Sequence, residues 1–132
     1  MYYQDSGCRL VFNGEIYNHF KIRHELKEDG FSIAWRGHSD TETVVESVAR
    51  KGLRRTLELC EGMFALAIVD LKTQKIFLAR DRLGEKPLFY GFLDGNEGTS
   101  FFFSSDENTP INSSSKAIGK GVFAHNSDIS LT

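Results

Sequence analysis

The heptapeptide Phe12-Asn13-Gly14-Glu15-Ile16-Tyr17-Asn18 constrains this chain more than any other stretch. Arg9-Leu10-Val11-Phe12 reads as a short buried strand, and Asn13-Gly14 is the strongest two-residue turn signal a sequence can carry. The expectation is a polar turn at the end of an apolar strand. An Asn amide beside an unhindered Gly N–H also puts two hydrogen-bond donors at one spot, as stabilisation of an oxyanion requires. Turn chemistry alone accounts for most Asn-Gly pairs, so this pair does not identify a site by itself.

Downstream, the apolar period changes from two to about 3.6 and back. Asn18 is placed to cap a helix running to about Asp29, with Ile22 and Leu26 on one face and Gly30 past its end. Phe31 to Arg36 alternates apolar and polar residues and reads as a strand. Ser39-x-x-Glu42 is a capping box opening a second helix that turns Val44, Val45 and Val48 to the core. Leu53, Leu57 and Cys60 have the spacing of a short third helix. Met63–Asp70 and Lys75–Asp81 then form a hairpin about Leu71-Lys72-Thr73-Gln74. Leu88–Phe92 and Thr99–Ser104 form another across Asp94-Gly95-Asn96-Glu97-Gly98. Antiparallel strands with helices between the early ones indicate an α+β domain over residues 1–105. Asp106 to Thr132 is rich in Ser, Asn and Gly, lacks a sustained apolar period, and reads as a polar, loosely ordered tail.

Composition excludes more than it assigns. A formal net charge of −2 over 132 residues advertises neither nucleic acid nor an anionic membrane as partner. The apolar run Met63–Val69 is too short to cross a bilayer, and the N-terminus lacks the blocks of a signal peptide. Two cysteines, Cys8 and Cys60, suggest neither a disulfide framework nor a zinc site, so reduced thiols and a cytoplasmic location are expected. His19, His24, His38 and His125 lack metal-ligand spacing and read as surface residues, and no metal site is expected.

Three further motifs follow the first: Ser39-Asp40-Thr41-Glu42, then Gly62-Met63-Phe64-Ala65-Leu66-Ala67, then the run from Ala79-Arg80-Asp81-Arg82-Leu83-Gly84 through Glu85-Lys86-Pro87-Leu88-Phe89-Tyr90-Gly91. In this order, and over about Leu10 to Ser105, they resemble the glutaminase domain of the asparagine synthetase family, the class II (N-terminal-nucleophile) glutamine amidotransferases. The resemblance implies an Ntn-hydrolase-like pair of stacked antiparallel sheets flanked by helices. It assigns the oxyanion hole to the Asn13 side chain and the Gly14 N–H, a glutamine contact to Glu15, and the grip on the substrate's α-ammonium to Asp40. The residue types suit those tasks, but each has a plainer reading. Glu15 is equally an exposed turn carboxylate, and Asp40 is an acid favoured by the macrodipole in the first turn of a helix. Arg80, Asp81 and Arg82 fit a structural ion-pair network better than an anion site.

The family's nucleophile is an N-terminal cysteine whose own α-amino group is the base. Here Met1 is followed by Tyr2, no Cys-Gly-Ile start exists, and the amine of Cys8 is tied up in a peptide bond. The family's carboxylate-binding arginine also falls upstream. The sequence therefore reads as a partial domain, incomplete at the N-terminus and truncated at both ends. Such a piece is expected to be inactive alone and to self-associate through uncovered strands. The resemblance implies glutamine and a synthetase domain as partners. It implies no cofactor in this chain, with ATP and magnesium belonging to the synthetase part. The parent activity would be glutamine hydrolysis supplying ammonia to ATP-activated aspartate. The alternative is a non-catalytic pseudo-glutaminase that binds glutamine or a partner protein.

Overall fold

The computed structural model describes residues 2–3, 7–96, 98–105, 116–117, 123–125 and 129–131. Along the chain run β1 (Tyr2–Tyr3), β2 (Cys8–Ile16), α1 (His19–Glu28), α2 (Asp40–Lys51), α3 (Leu53–Leu59), β3 (Gly62–Asp70), β4 (Lys75–Arg80), β5 (Phe89–Gly95) and β6 (Gly98–Ser104). The short strands β7 (Lys116–Ala117), β8 (Phe123–His125) and β9 (Ile129–Leu131) follow. Among the described residues every strand pair is antiparallel. One sheet has the order β1-β2-β3-β4-β8-β9, the other β6-β5-β7.

Strand β3 holds the two layers together. Phe64, Leu66 and Ile68 point to one side and join Leu10 and Ile16 of β2, Ile22 and Leu26 of α1, and Val44 and Val45 of α2. Ala65 and Ala67 point to the other side and meet Leu78 of β4, Leu88, and Tyr90 of β5, with Phe101 and Phe103 of β6 packed against them. A strand buried on both faces needs an unbroken apolar run, and Met63–Val69 supplies one. The β3–β4 hairpin closes where the Asp70 carboxylate accepts the N–H groups of Lys72 and Thr73 (2.9 and 3.2 Å). Partial burial pushes the Asp70 carboxyl up, but bonds from Thr73 and Lys72 outweigh it and hold the group below its ordinary range. No helix among the described residues is long and apolar enough to cross a membrane.

Several local expectations give way to tertiary structure. Asn13-Gly14 is not a turn: β2 continues through both residues, which pair with Ala65 and Phe64 of β3. The glycine is required by a close approach of backbones instead. At Gly14 (φ +145°) a Cβ would collide with the Met63 carbonyl oxygen, and at Gly62 one would collide with that of Glu15. Residues 31–36 form no strand. Their alternation comes from Ile33 and Trp35 packing against the core, while Phe31, Ser32, Ala34 and Arg36 stay exposed. Among the described residues the segment pairs with no strand. Its amides turn elsewhere, Trp35 N–H to the Ile33 carbonyl and Arg36 N–H to Glu42.

Asn18 precedes α1 without capping it. Its amide group donates to the Leu59 carbonyl (2.8 Å) and accepts from Glu61 N–H (2.9 Å), tying the end of β2 to the start of β3. The β5–β6 turn is tighter than read, since Gly95 already pairs with Gly98. Strands β7, β8 and β9 fall inside the segment read as a tail, whose other residues lie outside those described.

Candidate functional site

Strand β2 alternates strictly, and that alternation sorts its side chains by task. Cys8, Leu10 and Ile16 are buried under the helices. Arg9, Val11, Asn13 and Glu15 have the opposite parity and are exposed. The second sheet covers β3 and β4 but leaves this face of β2 open; Val11 is 58% exposed. Asn13 sits at the rim of the open face, where its side-chain amide donates to Ser105 Oγ (2.7 Å), just past the end of β6.

Asp40 reaches the same strand from the helical layer. It opens α2 as the first helical residue, behind Ser39, whose hydroxyl accepts from Thr41 N–H (3.1 Å) as an N-cap should. One carboxylate oxygen, Oδ1, accepts from Thr41 N–H (2.8 Å), and the other, Oδ2, accepts from Ile16 N–H (2.9 Å). A carboxylate from α2 thus stands at the residue that directly follows Asn13-Gly14-Glu15. Only half of the expected capping box forms. Glu42 does not reach back to Ser39 but accepts the N–H groups of Arg36 and Gly37 (2.7 and 3.1 Å), fixing the loop that leads into α2.

Asp81 departs from its expected role. Its carboxylate accepts from the N–H groups of Phe64, Glu85 and Lys86 (3.2, 2.9 and 3.0 Å), folding residues 81–86 around itself. Burial pushes this carboxyl up, but backbone N–H groups from Lys86, Glu85, Phe64 and Gly84 outweigh burial and hold it below the usual carboxylate range. Among the described residues neither Arg80 nor Arg82 makes an ion pair, so the ion-pair reading of this triplet is replaced by a carboxylate–backbone clamp. Gly84 and Pro87, which mark the turn, are the sequence signal that could have suggested it.

Neither thiol is near the Asn13 side chain in a usable form. Cys8 is buried on the helical face of β2, the wrong parity for Asn13. Burial pushes the Cys60 thiol up to about 12, which keeps it protonated and unreactive near neutrality. His24 and His38 are exposed, whereas His19 is half-buried against Phe20, with ring centroids 4.1 Å apart. No group of three metal-ligating side chains occurs among the described residues. A cleft of about 950 Å³ between α3 and the 81–85 loop is lined by Leu53, Leu57, Phe64 and Phe77, and includes neither Asn13 nor Asp40. Asp81, one of the carboxylates at this cleft, is committed to backbone N–H groups.

The class emerges first from the fold. The structure superposes on glutamine phosphoribosylpyrophosphate amidotransferase of Bacillus subtilis with a TM-score of 0.54, covering 82% of this chain and 31% of that one at 18% identity. The architecture is therefore that of the N-terminal-nucleophile amidotransferases. The family follows from sequence: the profile of the glutamine amidotransferase domain matches residues 1–123, and the chain belongs to that family. Its relatives include the glutamine-hydrolysing asparagine synthetase 3 of Bacillus subtilis, 36% identical over 79% of this chain and 16% of the relative. A putative asparagine synthetase 2 of Methanocaldococcus jannaschii is 42% identical over 74% of this chain and 17% of its own length. The asparagine synthetase of Bos taurus is 35% identical over 61% of this chain and 13% of its own length. This glutamine amidotransferase domain is thus similar to one part of these asparagine synthetases. The chain spans about a sixth of the length of the first two of these relatives.

Proposed function

We propose that this chain carries the glutamine-holding half of a glutaminase site, from a protein that hydrolyses glutamine and passes the ammonia to ATP-activated aspartate. The single observation that carries the reading is the hydrogen bond from Ile16 N–H to Asp40 Oδ2 (2.9 Å), which brings an anionic side chain to the end of the Asn13-Gly14-Glu15 segment. In this reading Asn13 and the Gly14 N–H receive the amide oxygen as it becomes an oxyanion, and Glu15 and Asp40 hold the α-ammonium end. ATP and magnesium serve a separate synthetase part and have no task in these residues.

Catalysis also needs a nucleophile with its base, and within these residues the two thiols are the buried Cys8 and the protonated Cys60. The 132-residue chain is therefore expected to release no ammonia from glutamine. A fusion that begins with an upstream Cys-Gly-Ile segment of a relative is expected to gain the activity, since nucleophile and base together supply several orders of magnitude in rate. In that fusion Asp40→Ala raises KM for glutamine and leaves the use of free ammonia intact. Ammonia release by the unmodified chain that disappears on Cys8→Ala would overturn the reading.

A further inference from the structure

Arg23 lies in α1, a short distance along the chain from the β2 motif, yet its guanidinium is spent on the helix that carries Asp40. Nε donates to Thr43 Oγ1 (2.7 Å), Nη1 to the Gly37 carbonyl (2.7 Å) and Nη2 to the Ser39 carbonyl (2.8 Å). Nη2 also lies 3.5 Å from Glu42 Oε2, and the Arg23 side chain is only 10% exposed. The guanidinium carbon stands 4.0 Å from the centroid of the Trp35 ring and 5.9 Å from that of Phe20. These acceptors bracket Asp40 on both sides without including it, so its carboxylate stays with Ile16 and Thr41.

We propose that Arg23 is a positioning residue, which fixes the first turn of α2 against β2 so that Asp40 meets the α-ammonium end of glutamine. The proposal rests on the glutamine reading above. Two features separate this role from simple helix support. The first turn of α2 is already bonded internally, Thr43 N–H to the Ser39 carbonyl (3.3 Å) and Thr41 N–H to Ser39 Oγ (3.1 Å), so it stays helical without Arg23. What Arg23 adds is the placement of that turn relative to α1, and α1 follows directly from β2. Lysine cannot take over, because an ammonium lacks the planar fork that serves three separated acceptors and stacks on an indole.

The test uses the full 132-residue chain and two readouts: glutamine affinity, and hydrogen exchange of the Ile16 amide, which reports the Asp40 bond. Arg23→Lys is expected to weaken glutamine binding about tenfold, within the range of ordinary coupling between sites, and to speed Ile16 exchange by a similar factor. Thr43→Val, a gentler variant that removes one acceptor, shifts both in the same direction by less. Ser47→Ala, which breaks the buried Ser47–Thr56 bond (2.8 Å) between α2 and α3, lowers the melting temperature and moves neither readout. In an Asp40→Asn background Arg23→Lys has no further effect on glutamine affinity.

Unchanged Ile16 exchange in both Arg23→Lys and Thr43→Val overturns the proposal, as does an undiminished loss of affinity in the Asp40→Asn background. Absence of glutamine binding by the unmodified chain overturns the functional reading instead, and Ile16 exchange then still decides whether Arg23 positions Asp40.

Discussion

Strands β2 and β3 lie side by side in one sheet, paired residue for residue from Cys8 opposite Asp70 to Ile16 opposite Gly62, yet they have opposite uses. β3 is covered on both faces, by helices on one and by the second sheet on the other. β2 is covered on one face and open on the other, and the open face carries Asn13 and Glu15. The difference shows where this fold can accept chemistry. A polar side chain on β3 would be buried without a partner, at a cost of about 1–3 kcal/mol. The same side chain on the open face of β2 costs little and can meet a ligand.

That contrast predicts a graded response to substitution. Leu66→Ala on β3, at a position 2% exposed, should lower unfolding free energy by about 3 kcal/mol through lost burial and an unfilled cavity, measured by urea denaturation. Asp81→Asn should cost about 2 kcal/mol at neutral pH, because an amide turns donors toward backbone donors that the carboxylate accepted. Its effect should also depend on pH. The Asp81 pKa is depressed in the folded chain, so its contribution is full above the unfolded carboxylate value of about 3.9 and fades as pH falls through the folded value. The gap between Asp81→Asn and the unmodified chain should therefore shrink on acidification. Val11→Thr on the open face of β2 should fall within about 0.5 kcal/mol of zero. A Val11→Thr cost as large as that of Leu66→Ala would mean that something covers β2 and would break the comparison.

Features set by a single element were legible in the sequence. The apolar run Met63–Val69, the two hairpins, and α2 with its Ser39 cap follow from periodicity and local chemistry, and the family motifs indicated the stacked sheets. What the sequence concealed depends on partners distant along the chain. Asn13-Gly14 has the composition of a hairpin turn, and only its approach to Met63 and Phe64 makes it strand. Asn18 resembles a helix cap, but the Leu59 carbonyl and the Glu61 N–H, more than forty residues away, take its side chain. At the candidate site, Asp40 could be singled out by motif, whereas its bond to Ile16 and the Arg23 network behind it are tertiary contacts with no local signature.

The central claim is that glutamine binds on the open end of β2 and is held there by Asp40. Titrating the isotopically labelled chain with L-glutamine, and following backbone amide shifts by NMR, tests it most directly. The account predicts saturable shifts concentrated at Asn13, Gly14, Glu15, Ile16 and Thr41, saturating only at about tenfold higher glutamine in Asp40→Asn and absent when D-glutamine replaces the L form. Shifts confined to the cleft between α3 and the 81–85 loop, or shifts at β2 that saturate at the same glutamine concentration in Asp40→Asn, would contradict it.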